Sequence, residues 1–122
     1  MTFERLLDIS DDLEQFVKEA RDSLAIRIDA RVVKETPVDT GAARRSWLVS
    51  FSRPDDTQPG PGKDFGAAVE RAKSAIQSAP AYGQLYIQNN VPYIEYLNEG
   101  SSDNRPLRYV DVAIEQEVAR GN

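Results

Sequence analysis

A few groups of residues in this chain have types and spacings that could do chemistry. Glu95 and Glu99 stand four residues apart, so on a helix they share a side and could work as an acid–base pair. With Asp39 brought beside them they could serve a metal-dependent nuclease. Asp11, Asp12 and Glu14 could chelate a cation. Thr36-Pro37-Val38-Asp39-Thr40-Gly41 could be a phosphate or metal loop. Arg44 and Arg45 beside Trp47 could hold single-stranded nucleic acid by charge and stacking.

Each group has a plainer reading, and the plainer reading is preferred. No nucleophile or glycine-rich cradle accompanies the glutamates. The chain has no His and no Cys, which removes two common catalytic side chains and thiolate zinc sites. The Thr36–Gly41 segment lacks the glycine-lysine pattern of a P-loop, and only Asp39 in it is a hard ligand. As a turn it is coherent: Pro37 fixes φ, Asp39 or Thr40 can cap a short helical turn over 42–45, and Gly41 can take a positive φ. The acids at 11–14 suit the positive end of a helix dipole. Two arginines make no groove, and a net charge of −5 argues against a dedicated nucleic-acid binder. The sequence therefore predicts no catalytic residue, no cofactor and no metal site.

The elements that must position these residues can be read from periodicity. The length of 122 residues suits one domain, with 40 % apolar residues and a negative mean hydropathy. No apolar run approaches the roughly 20 residues that span a bilayer, and no secretory leader is expected at Met1–Leu6. Residues 1–9 read as a lead-in, with Ser10 as N-cap. Leu13, Phe16, Val17, Ala20, Leu24, Ile28 and Val32 then recur at helical spacing. Ile26, Ala30 and Val33 widen that stripe, so two sides of the later half can be covered. Asp22, Asp29, Lys18, Arg21 and Arg27 fall outside it. Pro37 disfavours helical geometry at Thr36 and stops the helix.

Trp47–Ser52 alternates as a strand, with Trp47, Val49 and Phe51 on one face. Residues 53–64 hold three prolines and two glycines and read as a mobile loop. Phe65–Ala79 predicts a second helix on Val69, Ala72 and Ile76, and Gln84–Asn89 a second strand. Tyr93–Leu97 predicts one helical turn. Asn104-Arg105-Pro106 reads as the start of a last helix with Val110, Ala113, Ile114 and Val118 on one side. The fold class is α+β: a long N-terminal helix on a small antiparallel sheet, with a second and a C-terminal helix. Tyr82, Tyr86, Tyr93 and Tyr96 gather around the second strand. Tyrosine favours surfaces apolar on one side and polar on the other, so Tyr86, Tyr93, Tyr96 and Glu99 are the candidate subunit interface.

Two blocks carry a family resemblance. Thr36-Pro37-Val38-Asp39-Thr40-Gly41, then Ala43-Arg44 and Trp47-Leu48-Val49, resembles a signature of the neck and tail-completion proteins of long-tailed bacteriophages, the minor tail protein Z type among them. Tyr86-Ile87, Asn89-Asn90-Val91-Pro92-Tyr93-Ile94, Leu97, Gly100 and Ser102 resemble that family's second block. Where many members read Lys-Gln-Ala-Pro, this chain reads Asp103-Asn104-Arg105-Pro106. The similarity spans about residues 13–118. It implies a structural, non-enzymatic virion protein made in the host bacterial cytoplasm. It also implies a ring, sixfold or twelvefold, between head-closure and tail-terminator or tail-tube proteins, through which DNA passes without sequence-specific binding. A tail-terminator or head-closure ring of the same connector is the neighbouring alternative. A channel lined with negative charge lets DNA slide, which suits the acidic balance.

Overall fold

The computed structural model describes residues 3–37, 41–99 and 108–121. The element order is α1 (Phe3–Glu35), α2 (Ala42–Arg45), β1 (Trp47–Phe51), α3 (Phe65–Ser78), β2 (Leu85–Asn89), α4 (Ile94–Glu99) and α5 (Tyr109–Arg120). The fold is α+β, mostly helical, with a long first helix, a two-stranded antiparallel sheet and a C-terminal helix. The predicted Asn104–Pro106 helix start lies outside the described residues.

Helix α1 has 33 residues and so runs about 50 Å. It begins at Phe3, which corrects the expected lead-in and the Ser10 cap. Glu4, Arg5, Leu6 and Leu7 are good helix formers, and serine inside a helix costs only a few tenths of a kcal/mol, so nothing forces a start at Ser10. At its other end Thr36 closes the helix twice, with its N–H (3.0 Å) and its hydroxyl (2.5 Å) both donating to Val32 O.

The later half of α1 is covered by α3 and by α5. Lys18 Nζ donates to Gln77 O at 2.8 Å, and the Arg21 guanidinium donates to the carbonyls of Ala79, Pro80 and Ala81. These bonds dock the end of α3. The end of α5 is docked where Arg27 donates to Gly121 O. Earlier in α1, Leu13 and Phe16 are 56 % and 68 % exposed. The expected stripe is therefore covered from Val17 onward but not at Leu13 and Phe16.

Asp29 also departs from expectation. Its spacing sets it outside the stripe, yet it is only 1 % exposed, and its Oδ1 meets no hydrogen-bond donor. The Ala25–Asp29–Val33 line runs at i, i+4 spacing on a buried side of the two-sided half, and Asp29 is carried in with it.

The sheet pairs Trp47 with Asn89, Val49 with Ile87 and Phe51 with Leu85. The core gathers Val32, Val33, Trp47, Tyr109 and Ala113, with Phe65, Val69, Ile87, Leu97 and Val110 packed around them. Helix α3 presents Ala68, Ala72 and Ile76 inward, and its two alanines allow close approach. On α5 the buried line is Tyr109, Ala113 and Glu117, while Ile114 and Val118 are 43 % and 56 % exposed. This corrects the expected Val110–Ala113–Ile114–Val118 face. Tyr109 reaches towards Thr36, and Glu117 is held by Arg27 (3.1 Å) and Arg31 (3.3 Å). Those two anchors set the rotation of α5, and at 100° per residue Ile114 and Val118 fall on its flank.

Candidate functional site: the joined turn motifs

Thr36 is the centre of the first motif. It is fully buried, and its Oγ1 accepts the Trp47 indole N–H at 2.8 Å while donating to Val32 O. The Tyr109 hydroxyl lies 3.5 Å from the same oxygen. Burial pushes the Tyr109 phenol up from its ordinary value, and the Thr36 hydrogen bond only partly opposes that. One hydroxyl thus ties together the end of α1, the start of β1 and the start of α5. Arg44 Nε donates to Thr36 O at 2.8 Å, and its guanidinium lies 5.1 Å from the centre of the Phe65 ring. The arginine is a brace inside the fold.

Gly41 has φ +86°, the left-handed conformation expected of it. A Cβ there would collide with the backbone carbonyl of Gly62. Glycine is thus required twice, for its φ and for the close approach of the 53–64 segment. Val38, Asp39 and Thr40 lie outside the described residues, so the caps expected of Asp39 and Thr40 lie outside them too.

The second motif is tied to the first. Asn89 Nδ2 donates to Ala43 O at 2.7 Å, and Asn89 Oδ1 accepts Val91 N–H at 3.1 Å. Asn90 Nδ2 donates to the carbonyls of Asp55 (2.7 Å) and Thr57 (2.9 Å), and Gln58 returns a bond to Asn90 O. Arg45 holds the other arm of the 53–64 segment, donating to Pro59 O at 2.6 Å and pairing with Asp64. Its hydrogen bond to Asp64 holds that carboxyl below the usual range. The segment has neither helix nor strand, as its prolines require, but these bonds restrain what composition alone leaves free.

The candidate interface residues divide. Tyr93 and Glu99 are exposed, and Glu99 borders a cleft of about 230 Å³ that Trp47, Ile87, Ile94 and Val110 also line. Tyr86 is half-buried, bonds locally to Gln84 Oε1 at 2.7 Å, and by strand alternation faces away from the Ile87 side that borders the cleft. Tyr96 lies in α4, and its side chain is outside the described part of the structure.

Glu95 and Glu99 both sit on α4 and are exposed. Among the described residues no three His, Cys, Asp or Glu side chains gather as a metal site. No described helix is long and apolar enough to cross a membrane.

Sequence reasoning did not find Asp29 as a buried group, nor the Arg27–Arg31–Glu117 cluster. Burial pushes the Asp29 carboxyl up from 3.8 to about 7. Burial also pushes the Glu117 carboxyl up, but hydrogen bonds from Arg27 and Arg31 overcome it and leave Glu117 below the usual range. The available signal for Asp29 was its place four residues from both Ala25 and Val33. For Glu117 it was the same spacing from Ala113.

Comparison of this chain with protein-family models, with curated proteins and with solved structures gave no match.

Proposed function

We propose that this protein is a structural subunit of the head–tail junction of a long-tailed bacteriophage. It works as a neck or tail-completion ring through which DNA passes. It contacts its own copies and the head-closure and tail-terminator or tail-tube proteins beside it. Its role is architectural, with no bond made or broken and no cofactor.

The observation that carries this reading is the hydrogen bond from Asn89 to Ala43. The two sequence blocks that resemble the phage family are separated by a loop and a helix. That bond makes them one unit, and Asn90 and Arg45 fasten the intervening loop to it. The family-like residues thus build one framework, Arg44 and Trp47 bonded to Thr36 and Asn89 bonded to Ala43. Tyr93 and Glu99 remain on the surface for neighbours.

Complementation tests the reading. A phage lacking this gene is expected to accumulate filled heads and complete tails that do not join, and supplied protein should restore joined particles. Normal joining without the gene would defeat it.

A further inference from the structure

Charge and exposure are distributed unevenly along α1. Over Asp11–Phe16, ahead of the part that α3 and α5 cover, Leu13 and Phe16 are bare, flanked by exposed Asp11, Asp12 and Glu14. Near its far end α1 and α5 frame an open cleft of about 400 Å³. Four cations line it, Arg27, Arg31, Lys34 and Arg120, against the carboxylates of Glu35 and Glu117. In a chain of net charge −5 this cleft is a local reversal of sign. Lys34 is exposed, and the Arg120 side chain is 70 % exposed.

We propose that the acidic, apolar Asp11–Phe16 stretch of α1 in one subunit docks on the basic α1–α5 cleft of a second copy of this chain. The two surfaces cannot meet within one molecule. Asp12 and Lys34 belong to one continuous helix and stand about 33 Å apart along it. A parallel pairing of this stretch with its own counterpart would set Asp11, Asp12 and Glu14 against identical charges. The cleft supplies the opposite charge, and Ala30 with the aliphatic stems of its arginines supplies some apolar surface.

Two complementary patches set well apart along one rigid helix generate a head-to-tail contact. Such a contact repeats from copy to copy and closes as a ring when the rotation allows. The proposal rests on the ring reading for that closure and supplies the two patches such a ring needs. Electrostatic attraction between exposed groups also makes the association sensitive to salt.

The experiment is a charge exchange read by sedimentation velocity. One variant carries Asp11→Lys with Asp12→Lys, and the other carries Lys34→Glu with Arg120→Glu. All four side chains are exposed, and circular dichroism with thermal melting checks that each variant folds. Wild-type protein is expected to associate in a concentration- and salt-dependent way. Each variant alone should weaken association at least tenfold. An equimolar mixture of the two should recover it, because each Asp11–Phe16 surface then finds an opposite charge on the other variant. Leu13→Ser with Phe16→Ser should weaken association without recovery by mixing.

Wild-type protein that stays monomeric at every soluble concentration overturns the proposal. So do folded variants that associate like wild type, or a mixture that recovers nothing. The phage assay separates the two claims. Recovery by mixing in a protein absent from particles keeps the interface and discards the neck role. Particles that join normally with either variant keep the neck role and discard the interface.

Discussion

The Trp47 indole N–H is aimed at the Thr36 hydroxyl across 2.8 Å, in a site where both residues are shut off from water. The same hydroxyl closes α1 on Val32 O, so one oxygen serves a helix end and a strand start. Thr36→Val keeps the shape and removes the acceptor, leaving a buried indole N–H without a partner. The expected cost is about 1–3 kcal/mol in urea unfolding. Thr36→Ser retains the hydroxyl and should cost less. Equal losses for valine and serine would remove the hydrogen bond from the explanation.

Gly41 should not accept any side chain. Gly41→Ala meets a positive φ and the Gly62 carbonyl together, so the expected loss exceeds about 1 kcal/mol. Because the contact is with the 53–64 segment, amide hydrogen exchange in residues 59–64 should rise with it. Unchanged exchange there, with unchanged stability, would contradict the close approach.

Much of this was legible because the signals are local. Pro37 and Gly41 fix a turn by their own backbone limits, and Trp47-Leu48-Val49-Ser50-Phe51 alternates as a half-buried strand must. Leu85–Asn89 and Ile94–Glu99 lie within a residue or two of their expected bounds. What was not legible depends on where partners end. Leu13 and Ile28 belong to one periodic stripe, but α5 stops beside Arg27, so only the later part is covered. Asp29 and Glu117 are charged residues in buried lines. One is drawn in by the residues around it, the other by arginines about ninety positions away. The hydrogen bonds of Asn89 and Asn90 likewise join segments that periodicity treats separately.

Asp29 gives a pH signature. Its carboxyl sits at about 7 when folded against 3.8 as the ordinary value, so between those values the folded chain binds more protons than the unfolded one. Its effect on stability is therefore unfavourable with rising pH: the penalty grows from 3.8 to about 7 and is complete above. Asp29→Asn removes the ionisable group. The variant should be more stable than wild type above pH 7, by up to about 4 kcal/mol, and the gap should shrink on acidification. Parallel stability curves for the two proteins across that range would contradict the burial argument.

Tyr93 lies on the surface beside α4, where little of the fold depends on it. Tyr93→Ala should leave thermal unfolding within about 1 kcal/mol of wild type, and replacing Tyr93 and Tyr96 together by Ala should give folded subunits that do not enter particles. Complementation, with electron microscopy of head and tail fractions, checks both halves. Joined particles from the stable double variant would take these tyrosines out of the subunit interface.

The most direct measurement is the location of the protein in purified virions, by cryo-electron microscopy of the junction between head and tail combined with antibody labelling. The account expects a closed ring of copies at that junction, coaxial with the DNA channel, with label confined to the neck. Virions that contain no copy of the protein, or label distributed over capsid or tail fibres, would contradict it.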